Sequence, residues 1–66
     1  MQIVLSGATG VEVGPRGKEY IELTQGGQTV RIIVGGKDAN EKLENLAPLL
    51  SAVKALSDEL ATAVAE

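Results

Sequence analysis

A chain of 66 residues has room for one small domain, and this one contains no Cys, His, Trp or Phe. The missing Cys and His exclude disulfide bridges, thiolate zinc sites and histidine-based acid–base catalysis. The formal net charge of −3 arises in the second half of the chain, which speaks against nucleic-acid binding there. Because so small a domain has little core of its own, we expect it to gain stability by forming a homo-oligomer.

The amino-terminal residues 1–5 lack the basic stretch and the long apolar stretch of a signal peptide. No apolar run approaches the roughly 20 residues that span a bilayer. We therefore expect a cytoplasmic protein that binds no membrane. No metal or cofactor is predicted.

The composition changes near Gly35-Gly36, from glycine and β-branched residues to Ala, Leu, Glu and Lys. This change predicts strands first and helix second. The predicted fold is α+β in a single domain over residues 1–66. Residues 1–36 form an antiparallel sheet of three or four strands with a Gly-Gly hairpin, and residues 38–65 form a long amphipathic helix.

Two short strands are predicted first, at Ile3–Leu5 and at Val11–Val13. The segment Ile3–Gly10 resembles the strand and glycine turn that open NAD-binding short-chain reductases and epimerases. That resemblance implies a helix directly after the turn, where a pyrophosphate would bind. Val11–Pro15 predicts a strand and a turn instead, so we interpret the segment as a loop between two strands.

A glycine-rich turn with two cations follows at residues 14–18, in the order Gly-Pro-Arg-Gly-Lys. Flexible backbone amides and basic side chains both favour anions, so this turn is a candidate site for a phosphate or a carboxylate. The alternative interpretation is a solvated hairpin loop.

The hairpin itself is the clearest local pattern, with apolar alternation on both sides of Gly26-Gly27. A two-residue loop of this type needs positive φ at both glycines. The loop predicts which residues of the two strands face each other. On an apolar face, Leu23 lies opposite Val30 and Ile21 opposite Ile32. On the other face, Glu22 lies opposite Arg31 and Thr24 opposite Thr29, with Tyr20 opposite Ile33 beside them.

Residues 27–34, with Lys37-Asp38 after them, are similar to carbon-storage-regulator RNA-binding proteins, which are short and swap strands in a dimer. The resemblance implies basic residues beyond Lys37-Asp38. Glu41 and Glu44 stand there instead, so we predict no nucleic-acid partner.

The sequence of the second half predicts a helix with Asp38 or Asn40 as its N-cap and Glu41 in its first turn. Pro48 cannot donate to the carbonyl of Glu44, so a kink or a break into two helices is expected there. A helix of this length reaches roughly 39 Å, whereas six-residue strands reach roughly 20 Å. We therefore expect either that Pro48 folds the helix back or that the overhang packs on another copy, and we favour the second. The coiled-coil-like stripe of this predicted interface comprises Leu46, Leu49, Leu50, Val53, Leu56, Leu60 and Val64.

No carboxylate pair is placed for acid–base work, and Ser6, Thr9 and Ser51 have no base, so we do not expect an enzyme. We predict a homo-oligomeric accessory, adaptor or inhibitor protein, of the kind short viral chains often provide. An unidentified protein partner is expected to bind Tyr20, Arg31, Ile33, Arg16 and Lys18. The alternative is an oligomeric module that binds an anionic ligand such as a nucleotide at Arg16, Lys18 and Arg31.

Overall fold

The computed structural model describes residues 2–66. The elements in chain order are β1 (Gly10–Val13), β2 (Tyr20–Gln25), β3 (Gln28–Ile33) and α1 (Ala39–Ala65). The predicted α+β class, a small antiparallel sheet followed by one long helix, is confirmed. The chain divides into two compact units, residues 1–34 with the sheet and residues 35–66 with the helix. The assignment of both to a single domain stays a prediction.

The first unit is a three-stranded sheet in the order β1-β2-β3, with both neighbouring pairs antiparallel. The hairpin register is the predicted one, because each expected pair of facing residues is found. Gly26 and Gly27 adopt φ values of 56° and 80°. Positive φ at both loop positions gives the turn a twist that matches the strands it joins.

The strand predicted at Ile3–Leu5 is wrong, because these residues belong to no strand. A turn forms after them, in which the Thr9 amide donates to the Ser6 carbonyl at 3.1 Å. The Ser6 amide donates to Thr9 Oγ1 at 2.9 Å, and Gln25 Nε2 donates to Ser6 Oγ at 3.0 Å. Side chains thus satisfy this segment locally, and β1 follows at Gly10 without the helix of a dinucleotide-binding turn.

The second unit is α1 with the residues that precede it. Asp38 is the N-cap, and its Oδ1 accepts a hydrogen bond from the Glu41 amide at 2.9 Å. Asn45 Nδ2 donates to the Gly35 carbonyl at 2.7 Å. A Cβ at Gly36 would lie 2.8 Å from the Lys42 amide nitrogen, so a glycine is needed for this close approach. Residues 35–38 are therefore folded onto the first turns of the helix.

Pro48 lies inside α1, and the helix continues through it. Of the two outcomes expected at Pro48, a kink or a break into two helices, the break does not occur. Proline removes one hydrogen bond from the helix, and the remaining hydrogen bonds of a 27-residue helix maintain its continuity on both sides. Its length is about 40 Å.

Across residues 2–66 no side chain is fully buried, so each unit leaves its apolar residues at least partly accessible. Within the same residues, no helix combines the length and the apolar character required to cross a membrane.

We predict that replacing both Gly26 and Gly27 with Val unfolds the sheet. A β-branched residue held at positive φ costs on the order of 1–3 kcal/mol, and two such costs are a large fraction of the stability of a small domain. Gly7→Val is the matched control, because Gly7 has no positive φ and no neighbour near its Cβ position. Urea unfolding followed by circular dichroism measures both, and an unchanged midpoint in the double variant would contradict this role of the turn.

Candidate functional site

The two faces of the sheet differ in chemistry. Side chains alternate along a strand, so the register assigns every strand residue to one face. The apolar face carries no charged strand residue and comprises Val11, Val13, Ile21, Leu23, Val30 and Ile32, with the two glutamines Gln25 and Gln28 at its hairpin end. The polar face comprises Gly10, Glu12, Tyr20, Glu22, Thr24, Thr29, Arg31 and Ile33.

A cluster of interacting side chains is centred on Arg31 of the polar face. The Arg31 Cζ lies 4.4 Å from the centroid of the Tyr20 ring, within the range of a cation–π interaction. Arg31 Nε and Nη2 donate to Glu22 Oε2 at 3.0 and 2.8 Å. Glu22 also faces Glu12, so its ion pair with Arg31 offsets the repulsion between the two carboxylates. The guanidinium is thus held in one orientation.

The hydrogen bond that Arg31 donates to Glu22 is the largest cause that raises the pKa of Arg31 above its ordinary value, and Tyr20 acts in the same direction. The Arg31 side chain nevertheless stays half exposed, at 52%. A fixed cation that is still accessible to a binding partner is what this geometry provides.

Gly14 also belongs to the cluster, although its sequence pattern predicted only a turn residue. Its amide donates to the Tyr20 carbonyl at 2.8 Å. A Cβ on Gly14 would overlap the Cδ2 and Cε2 atoms of the Tyr20 ring and the carbonyl oxygen of Lys18. The aromatic ring therefore lies over a bare glycine in the neighbouring strand position, an arrangement known to stabilise glycines in sheets. A glycine facing the only aromatic residue is the signal that could have identified it.

The predicted partner-binding residues fall into two places. Tyr20, Arg31 and Ile33 come together on the polar face, where Tyr20 is opposite Ile33 and Ile33 is 73% exposed. Arg16 and Lys18 are exposed residues of the turn between β1 and β2, outside the strands.

In that turn, a backbone amide already donates a hydrogen bond to a carboxylate of the same chain. The Lys18 amide donates to the Pro15 carbonyl at 2.9 Å, and Gly17 has a φ of 92°. The Gly17 amide donates to Glu19 Oε1 at 3.3 Å. Glu19 therefore occupies a backbone donor of the turn that carries Arg16 and Lys18.

The apolar stripe of α1 is accessible along its length. Leu46 is half-buried, and the exposure of the other six predicted interface residues runs from 37% at Leu49 to 88% at Val64. The Lys54–Asp58 ion pair, with Nζ and Oδ2 at 3.1 Å, is made by residues outside the stripe. Lys54 and Asp58 thus lie on a different side of the helix from the stripe.

The described residues, 2–66, contain no group of three acidic, His or Cys side chains that could hold a metal ion. A comparison with protein-family models, with curated proteins and with solved structures finds no match to this chain. Function is therefore inferred from the geometry of the polar face of the sheet and of the α1 stripe.

We predict that Gly14→Ala displaces the Tyr20 ring and destabilises the sheet. Inserting a methyl group into an occupied position typically costs about 1–3 kcal/mol. Gly10→Ala, at the other end of β1, is the control, because its Cβ would meet Thr24 at an ordinary 3.8 Å. Tyr20 is the only aromatic residue, so near-ultraviolet circular dichroism reports its environment alone. An unchanged tyrosine signal in Gly14→Ala would contradict the packing.

Proposed function

We propose that this chain is a small non-catalytic protein that associates with copies of itself and binds a protein partner. Self-association uses the α1 stripe, and the partner contacts the polar face of the sheet. Accessory, adaptor and inhibitor proteins, including short viral ones, act in this way, and the cytoplasm is the proposed compartment. The accessible stripe on α1 is the observation that carries the proposal.

The energetics of the stripe support self-association. Fully burying one Leu or Val side chain stabilises a complex by about 1.5–3 kcal/mol. Association costs about 4–15 kcal/mol in lost translational and rotational freedom. Two copies of the stripe contribute fourteen such side chains, so even half burial of both stripes is of the size needed to offset that cost.

The heptad spacing also supports pairing between helices. Leu46, Val53 and Leu60 recur every seven residues, and so do Leu49, Leu56 and Ala63. Such a seam meets an equivalent seam on a second helix, with each side chain inserted between those of the partner. Ser51 and Asp58 lie on the opposite side of the helix and would remain in water.

The Arg31 cluster supports a protein partner on the polar face. Tyr and Arg are enriched at the energetic centres of protein interfaces. Arg31 is already immobilised by Glu22 and Tyr20, and immobilising it before binding lowers the entropy lost on complex formation. Ile33 adds apolar area beside the ring. This combination of a fixed cation, an amphipathic ring and an aliphatic side chain fits a protein surface better than a small anion.

We predict that Leu56→Ala weakens self-association by more than tenfold. Truncating a leucine at a core-like site costs about 2–5 kcal/mol, and each 1.4 kcal/mol changes a dissociation constant by about tenfold. Leu56→Asp should abolish the association that α1 makes, whereas Ser51→Asp, with the same added charge on the opposite side, should not. Light scattering and sedimentation at micromolar concentration measure the mass. A monomeric parent protein would overturn the proposal.

We predict that Tyr20→Ala combined with Arg31→Ala abolishes partner binding and leaves the helical circular dichroism and the oligomer mass unchanged. The matched control is Thr24→Ala with Thr29→Ala, a facing pair at the other end of the polar face. A pull-down that recovers a stoichiometric protein is the measurement. Equal recovery with the Tyr20 and Arg31 double variant would show that the partner does not bind at these residues. A thermal shift with nucleotides, together with no recovered protein, would instead support the anion-binding alternative.

A further inference from the structure

The direction of the backbone groups along β3 follows from one hydrogen bond and the register. The Val34 amide donates to the Glu19 carbonyl at 3.0 Å. In an antiparallel pair, hydrogen-bonded and non-hydrogen-bonded pairs alternate, so Ile32 and Val30 also bond to β2. Thr29, Arg31 and Ile33 then direct their N–H and C=O groups away from β2.

The same alternation holds on the other side of β2. The Gly14 amide donates to the Tyr20 carbonyl at 2.8 Å, so Tyr20 directs its backbone groups toward β1. Tyr20 faces Ile33 in the β2–β3 pair. Ile33 must therefore direct its own groups outward, which is the direction inferred from the Val34 bond.

The two edges of the sheet are not equally suited to pairing. β1 has four residues, begins at Gly10 and is followed by Gly14-Pro15, and short strands next to proline are a common protection of sheet edges. β3 has six residues and contains neither glycine nor proline. Its outward residues Thr29, Arg31 and Ile33 are all exposed. An exposed row of unpaired backbone groups is a template for another strand.

The sequence of β3 discriminates among antiparallel registers with a second copy of itself. Outward residues must face outward residues, which allows three registers in which Arg31 faces a residue of β3. One places Arg31 opposite Arg31, with like charges directly facing. A second places Thr29 opposite Arg31, which matches Ile32 with Gln28 and Ile33 with Gly27. The third places Arg31 opposite Ile33, and it matches apolar residues with one another.

We propose that β3 pairs with β3 of a second copy in the third register. Ile32 then lies opposite Ile32 on the two-fold axis, and Val30 lies opposite Val34. The two sheets become one six-stranded sheet with its apolar faces on the same side. Both Arg31 clusters lie on the other side, so the pair presents a bivalent polar face. This contact goes beyond association through α1, because it belongs to the sheet unit.

Single cysteines test this register, because the chain has none of its own. Facing residues in a non-hydrogen-bonded pair have Cα atoms about 4.5 Å apart, within the roughly 4.4–6.8 Å of a disulfide. Ile32→Cys should therefore form a cross-linked dimer under mild oxidation. Val30→Cys should not, because its two copies are offset by four residues, roughly 13 Å. Each cysteine is placed in the full chain carrying Leu56→Asp, so a cross-link cannot depend on α1.

Proline variants add a backbone test to the cysteine test. Ile33→Pro removes an outward N–H and retains the β2–β3 hydrogen bonds, so it should abolish the Ile32→Cys cross-link. Val13→Pro makes the same change on the outward side of β1 and should leave the cross-link intact. Circular dichroism verifies that both variants fold.

Two results would overturn the proposal. A cross-link through Val30→Cys instead of Ile32→Cys would show the Thr29–Arg31 register. Absence of a cross-link in every variant, with folded protein, would show that β3 does not pair with itself in the proposed register. Either result leaves the association through α1 to be judged by the Leu56 variants alone.

Discussion

Two positive-φ glycines, Gly26 and Gly27, impose the constraint on which the sheet depends. They join β2 and β3 through a two-residue loop, and such a loop permits one register. That register places Arg31 beside Glu22 and near Tyr20, separates the charged face from the uncharged one, and directs the backbone groups of Thr29, Arg31 and Ile33 outward. A shift of one residue would move every side chain to the opposite face.

Local hydrogen bonds stabilise the two units where a large core would do so in a longer chain. None of the residues 2–66 is fully buried. Ser6 and Thr9 close the turn before β1, Asp38 caps α1, and Asn45 fixes the glycine segment ahead of it. Such bonds define conformation, but each contributes only about 0.5–1.5 kcal/mol net. Burial of the exposed apolar residues between copies is the larger available source of stability.

The position of charge is the reason that we propose a protein surface, and not a small anion, as the binding partner. Arg31 is paired with Glu22, and in the turn that carries Arg16 and Lys18 the Gly17 amide already donates to the Glu19 carboxylate. The uncharged surfaces, namely the apolar face of the sheet and the α1 stripe, are extended and aliphatic, and surfaces of this kind often mark sites of interaction with other proteins.

The sequence by itself determined the elements, because their causes are local. Alternation and a Gly-Gly pair specify the hairpin and its register, and Asp38 with a helical apolar repeat specifies the start and the stripe of α1. Tertiary structure alone decided three other points. Ile3–Leu5 forms no strand because nearby side chains make the hydrogen bonds of the turn that follows it. The helix α1 continues through Pro48 because the hydrogen bonds on both sides outweigh the one that proline removes. Gly14 supports the Tyr20 ring because pairing between β1 and β2 brings together residues that the sequence separates.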